Sequence, residues 1–186
     1  MDQRTLTHWL LINRISGLGY GCFSKLAGSD GSPSQVAFST ALELERSGLR
    51  KAARDQLLEY QRSPDNHSLA EQIEQDQLWL EGEDHHLIPI NSESYPPPLK
   101  NIPSPPLVLY CIGDPDYLLW PQLAMVGSRN PSPSGWELAQ GFASSLAKSG
   151  LLVTSGLALG VDAAAHKGAL AAGKTTIAVV GTGLDR

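Results

Sequence analysis

Apolar side chains in the first part of the chain recur at helical rather than alternating spacing. Leu6, Trp9, Leu10 and Ile12 predict a first helix with Thr5 as its N-cap, interrupted by Gly17-Leu18-Gly19. A second helix over residues 20–27 should stop at Gly28, and two more are expected over 33–40 and 49–60. Ser68-Leu-Ala-Glu71 has the form of a capping box and opens a last helix with Leu69, Ile73 and Leu80 inward. Its outer face is acidic, six Asp/Glu and no Lys/Arg over residues 71–86, and reads as a solvated face. His85-His86 follows without further ligands at metal spacing and falls to a loop.

Residues 89–106 hold 7 of the 13 prolines. Proline lacks the N–H that a helix interior needs, so this stretch predicts an extended connector, followed by a short strand over 107–112. The expected organisation is a helical domain over 1–86, a Pro-rich connector with an extra strand over 87–122, and a third region over 123–186.

That third region changes rhythm. Leu123-Ala-Met-Val126 is a buried-type strand ending in Gly127-Ser128-Arg129. Residues 133–148 are helical, with Trp136, Ala139, Phe142, Ala143 and Leu146 on one inward face and Gly150 as the stop. A strand over 151–154 closes in Ser155-Gly156, a helix covers 162–172, and a third strand over 176–180 runs into Gly181-Thr-Gly183. Near-continuous apolar strands alternating with helices predict a parallel sheet covered by helices. In such sheets ligands sit at the carboxyl ends of the strands, where all three glycine-bearing turns fall.

Composition narrows the class. Hydrophobic residues make up 41% and charged residues 18%, enough for a real core, and no apolar run approaches a membrane span or a signal-peptide core. Two cysteines without a CxxC partner indicate neither a zinc site nor a disulfide scaffold, and a reduced cytoplasm is the expected location. The net charge of −5 is uneven: residues 1–120 carry 9 Lys/Arg against 16 Asp/Glu, residues 121–186 carry 5 against 3. An anionic partner is therefore expected at the C-terminal third.

At the first turn Gly127 admits an anion to the backbone, Ser128 adds a hydroxyl, and Arg129 can fork two bonds to a phosphate, each worth about 1.5–3 kcal/mol. Ser155-Gly156-Leu-Ala-Leu-Gly160 repeats the device at the second turn. There two readings stand side by side, a second anion site or glycines that merely shape a tight turn.

Competing chemistries can be tested on the letters. A dinucleotide fingerprint would need glycine where Arg129 and Arg186 stand, and an acidic residue after the second strand, which instead ends Thr154-Ser155-Gly156. Gly168-Ala-Leu-Ala-Ala-Gly173-Lys174-Thr175 matches the phosphate-loop pattern, but at a helix end leading into a strand, the reverse of the required order. Gly173 is better read as the helix C-cap. Asp162 and His166, four apart on one helix, have no nucleophile beside them and read as an N-terminal cap and a packed histidine. No catalytic, metal or cofactor site is assigned.

With these residues in view the chain resembles the DprA/Smf family of DNA-processing proteins. The carriers are Tyr95-Pro-Pro-Pro-Leu99 with Ile102-Pro-Ser-Pro-Pro-Leu-Val-Leu-Tyr110, then Ala124-Met-Val-Gly-Ser-Arg-Asn130, Thr154-Ser-Gly-Leu-Ala-Leu-Gly-Val-Asp-Ala-Ala-Ala-His166 and Ile177-Ala-Val-Val-Gly-Thr-Gly-Leu-Asp185. The helical N-terminal part is similar to that family's small SAM-like domain. The fold class implied is α/β: a SAM-like helical domain followed by a Rossmann-like parallel sheet, incomplete after its third core strand.

The resemblance implies a non-enzymatic binder of single-stranded DNA. Such a protein protects incoming strands in natural transformation, loads the RecA recombinase and is a homodimer when full-length. It assigns the DNA backbone to Gly127, Ser128 and Arg129, with Ser155, Gly156 and Gly160 beside them. Family members continue past the Gly-Thr-Gly-Leu-Asp turn, so this chain is expected to be a fragment. Its first core strand should then be an exposed apolar edge that favours self-association. Ile15-Ser-Gly-Leu-Gly19 also resembles the hairpin of helix-hairpin-helix motifs. That would make Gly17, Gly19 and Lys25 a secondary DNA contact, whereas the acidic balance of this part favours an ordinary turn. The alternative from another class is a nucleotide- or sugar-phosphate-binding enzyme on the same half-sheet.

Overall fold

The computed structural model describes residues 1–184; Asp185 and Arg186, which close the Gly-Thr-Gly-Leu-Asp segment and hold the last fingerprint position, lie outside the described residues. The chain divides into two compact units, Met1–Gly113 and Asp114–Arg186.

The first unit begins with α1 (Gln3–Arg14), α2 (Tyr20–Leu26), α3 (Pro33–Ala37), α4 (Ala41–Ser47), α5 (Lys51–Arg62) and α6 (Ser68–Leu80). Trp9, Leu10, Leu11, Ile12, Leu44 and Leu57 are fully buried and form its centre. Two caps differ from the sequence expectation. Asp2, not Thr5, caps α1, because its two carboxylate oxygens accept from the Thr5 backbone N–H at 3.0 Å and the Thr5 hydroxyl at 2.7 Å. His67, not Ser68, caps α6, its Nδ1 accepting from the Leu69 N–H at 3.1 Å. The reciprocal capping box lies elsewhere, at Thr40 and Glu43, where it opens α4, a helix in the stretch between the two helices expected over 33–40 and 49–60.

The acidic helix is not wholly solvated. Asp76 on α6 is buried and accepts from Arg14 Nε at 2.9 Å across 62 residues of sequence, with Arg14 Nη2 on its other oxygen. His85-His86 is not a loop either. Both belong to β1 (His85–Pro89), antiparallel to β2 (Val108–Ile112) with His85 opposite Ile112 and Pro89 opposite Val108. His85 stacks on Trp79 at 4.1 Å between ring centroids and donates from Nδ1 to the Trp79 carbonyl at 2.6 Å. The division expected near residue 87 thus falls inside β1. The proline-rich stretch between the strands carries one helical turn, α7 (Pro97–Lys100), and is pinned by Tyr95, fully buried, whose hydroxyl donates to the Pro106 carbonyl at 2.8 Å.

The second unit is the α/β part. β3 (Gln122–Ala124), α8 (Pro133–Lys148), β4 (Leu152–Ser155), α9 (Val161–Ala171) and β5 (Thr176–Ala178) form a parallel sheet in the order β3-β4-β5. Its core is small: Ala143, Ala147, Ala165 and Ala169 close around Val153. An alanine methyl contributes only about 0.8 kcal/mol on burial. What these residues permit is close approach, since a side chain on Gly168 would collide with the Gln140 carbonyl of the facing helix. Phe142, expected inward, is 63% exposed, because the face that α8 turns to its neighbours is the alanine row Ala139, Ala143, Ala147. Trp136 is only half-buried, with Lys167 Nζ 5.2 Å from its ring centroid. At the end of α9 the Gly173 N–H bonds the Leu170 carbonyl at 2.9 Å and the Lys174 N–H bonds Ala169 at 3.2 Å. This is a glycine C-terminal motif, with Gly173 at φ 68°, so the phosphate-loop lookalike is a helix end. None of the described helices is long and apolar enough to cross a membrane.

Candidate functional site

The chain leaves β3 through Met125, whose N–H still reaches the Thr154 carbonyl at 2.9 Å, and enters the exposed turn Gly127-Ser128-Arg129. Three contacts hold that turn on the start of α9. Ser128 accepts on its carbonyl from the Val161 N–H at 3.0 Å. A Cβ on Gly127 would meet the Val161 side chain at 2.7 Å, so only glycine fits beside it. Gly160 sits at φ 83°, ψ −130°, where a Cβ would run into the Ser128 carbonyl and the Arg129 backbone. The two turns that the sequence presents as neighbours are therefore one interlocked structure.

Their donors differ in what is left to offer a ligand. At the first turn the Ser128 hydroxyl oxygen accepts from the Asn130 N–H at 3.1 Å, which orients it and leaves its own proton to donate outward. Arg129 is exposed and has no ion pair or side-chain hydrogen bond among the described residues. At the second turn the groups are committed internally. Ser155 is buried and donates to the Met125 carbonyl at 2.7 Å. The Gly156 and Ala158 N–H groups donate to Asp162 Oδ2 at 3.2 and 3.4 Å. Asp162 is the second residue of α9 and not its N-cap, which is Gly160. Its carboxylate already fills the position that an anion would take at Gly156, so negative charge from outside is favoured on the Ser128–Arg129 side. Asp162's role was not legible from its spacing, because the turn it binds precedes it rather than lying on its own helix face.

His166 faces the interior. Thr176 donates its hydroxyl to the Val153 carbonyl at 2.6 Å, so the Thr176 oxygen can only accept from His166 Nδ1, at 2.9 Å. His166 Nε2 is buried with no hydrogen-bond partner among the described residues. Burial pushes this imidazole below its ordinary pKa, against the opposing pull of the Asp162 charge. A neutral histidine tied to β5 and a carboxylate tied to a turn do not make an acid–base pair at the surface. Among the described residues no group of three or more His, Cys, Asp or Glu could hold a metal ion.

In the first unit Gly17 takes φ 88° and the Gly19 carbonyl accepts from the Cys22 and Phe23 N–H groups at 3.1 and 3.0 Å. Lys25 Nζ donates to the Ser47 carbonyl at 3.0 Å, at the carboxyl end of α4. Two of the three residues thus shape a helix–helix turn, and the third ties α2 to α4.

The α/β unit is thus a Rossmann-like parallel sheet that presents an interlocked Gly-Ser-Arg turn at the carboxyl ends of its strands. The family model for DNA recombination-mediator protein A matches residues 86–186, and the chain belongs to that family. Protein Smf of Escherichia coli is 36% identical over 177 residues, covering 95% of this chain and 44% of that protein. DNA processing protein DprA of Streptococcus pneumoniae is 43% identical over 96 residues, 52% of this chain and 34% of that one. The solved structure of DprA from Streptococcus pneumoniae aligns with a TM-score of 0.71 at 30% identity, covering 97% of this chain and 59% of that chain. The chain thus spans about half the length of the relatives it matches.

Proposed function

We propose that the chain binds single-stranded DNA through Gly127, Ser128 and Arg129, with Arg129 as the principal phosphate ligand and without catalysing a reaction. The observation that carries this reading is the exposed, unpaired Arg129 guanidinium on a turn anchored to α9. A guanidinium forks two bonds to a phosphate and, unlike an ammonium, fixes its direction. Ser155, Gly156 and Gly160 act in this reading by holding the turn rather than by touching the strand. In the whole protein the strand would be one taken up in natural transformation, protected and handed to a RecA-type recombinase by a homodimer working in the cytoplasm. The family's description as a recombination mediator supports that setting.

The test is fluorescence anisotropy of a labelled poly-dT oligonucleotide at two salt concentrations, with the chain and with Arg129→Ala. The expected result is binding that weakens with salt, with a slope near 0.7 per phosphate contacted, and an about tenfold loss in the variant, equivalent to about 1.4 kcal/mol. Equal affinity of the variant, or saturation by one equivalent of a mononucleotide with no dependence on strand length, overturns it in favour of a small-ligand site.

A further inference from the structure

The first unit carries a groove of about 460 Å³ between α2, α3 and α4, lined by Lys25, Gln35, Phe38, Ser39 and Arg46 among others. Phe38 at its rim is 58% exposed, an uncommon position for a phenyl ring next to charged groups. His8 meets it in a T-shaped contact, 5.2 Å between centroids at 86°, and the Arg4 guanidinium lies over the ring, 5.7 Å from its centroid. His8 is in turn held by Ser34 at 2.9 Å. The ring is a fixed platform, not a loose surface side chain.

The lining carries two cations, Lys25 and Arg46, against one carboxylate. Residues 1–54 carry seven Lys/Arg against four Asp/Glu, whereas residues 55–113 carry two against ten. The acidity of the unit therefore belongs to its later elements. Inside the groove the one carboxylate, Glu43, is held by the Thr40 N–H and hydroxyl, both at 2.7 Å, as half of the α4 capping box. Lys25 is aimed by its bond to the Ser47 carbonyl and keeps two further donors. Arg4, Lys25 and Arg46 form no ion pairs among the described residues.

We infer that this groove is a second nucleic-acid site, in which Phe38 stacks a base of a single strand while Arg46 and Lys25 meet the flanking phosphates. An exposed aromatic face set among cations is the arrangement that takes unpaired strands with little sequence preference. Gln35 adds an amide to the lining, while the buried Ser39 hydroxyl is held by the Gln35 carbonyl at 2.8 Å. The inference rests on the reading that the chain binds single-stranded DNA.

The experiment uses the full chain and a poly-dT oligonucleotide carrying 5-iodouracil, read by photocrosslinking with peptide mapping and by anisotropy. The variants are Phe38→Leu, which keeps the apolar bulk but removes the π face, Arg46→Ala and Arg129→Ala. The expected results are a crosslink on the Phe38 peptide, about five- to tenfold weaker binding in Phe38→Leu, and a salt slope lowered by about 0.7 in Arg46→Ala. Arg129→Ala should keep the Phe38 crosslink at higher protein concentration. If the oligonucleotide binds and depends on Arg129, but neither the crosslink nor any loss in Phe38→Leu and Arg46→Ala is seen, the second site is overturned while the first stands. That outcome would leave the groove to an acidic protein partner. If the unaltered chain binds no oligonucleotide, both are overturned.

Discussion

Gly160 lies directly against the Ser128 carbonyl, leaving no room for a Cβ between the two turns of the α/β unit. This contact, together with the Ser128 to Val161 hydrogen bond, makes the shape of the first turn depend on a residue 32 positions later. Gly160→Ala is therefore expected to do more than strain one backbone angle. Left-handed geometry costs about 1–3 kcal/mol for a residue with a side chain, and the collision must also push the Ser128–Arg129 backbone outward. Thermal unfolding should show a loss of at least about 3 kcal/mol, and DNA binding should weaken in the remaining folded protein. A variant as stable as the original would show that the turns are not interlocked.

Asp162 supplies the acceptor for two N–H groups of the second turn. Asp162→Ala removes the acceptor of both, at about 1 kcal/mol, since Gly156 is exposed and Ala158 half-buried and water can reach them. Hydrogen exchange should quicken at Gly156 and Ala158 before it does in β4. Unchanged exchange at these two amides would show that the carboxylate does not hold the turn.

His166 makes the unit sensitive to acid. Its folded pKa lies below the ordinary 6.5, so the unfolded chain takes up the proton first. The stability is complete above that value and falls as pH drops below it. Burial lowers His8 in the same direction. Tm should decline between pH 7 and pH 5, and His166→Gln should flatten part of the slope, leaving the share due to His8. A Tm that is flat or rises toward pH 5 contradicts the assignment.

The Arg14–Asp76 pair ties α1 to α6, with the carboxylate buried and the guanidinium partly open to water. Breaking a buried pair costs about 3–5 kcal/mol, and the partial exposure of Arg14 reduces that to about 2 kcal/mol for Asp76→Ala. Urea unfolding of Arg14→Met against Asp76→Ala should show the larger loss in Arg14→Met, since it leaves the buried Asp76 carboxylate without its cation, whereas Asp76→Ala leaves a guanidinium that water can reach. Equal midpoints for both variants and the original would mean the pair contributes nothing.

β3 pairs only with β4 among the described residues; Leu123 on it is 40% exposed and Val126, just after it, 80% exposed. A free apolar edge is a template for another strand. Light scattering should show self-association of this chain that Leu123→Lys reduces; a monomer at all concentrations would sink the expectation.

Much of this architecture was legible in the letters because it depends on local periodicity. The parallel strands, α8, α9 and the Gly173 stop follow from apolar runs and glycine positions, which act within a few residues. Caps were legible only in part. Asp2 precedes the first apolar residue by more than a cap is expected to, and Thr40 reads as the end of one helix although it opens the next, α4. The Gly-Ser-Arg turn stood out because glycine, hydroxyl and guanidinium in sequence are the groups that an anion site would need.

What the letters by themselves determined, then, is the strand–helix alternation of the second unit, the α/β class and which residues are candidates to meet a phosphate. Only the tertiary structure decided which of those residues are free to do so. Ser155 and Gly156 look like ligands in sequence, yet folding gives their hydrogen bonds to Met125 and Asp162 and leaves Ser128 and Arg129 outward. Likewise Phe38 and Arg46 carry no motif, and become neighbours of Lys25 only because three short helices converge. The physical reason is the same in both cases: a polar group satisfies the nearest partner in space, and that distance is set by packing between segments that the sequence keeps far apart.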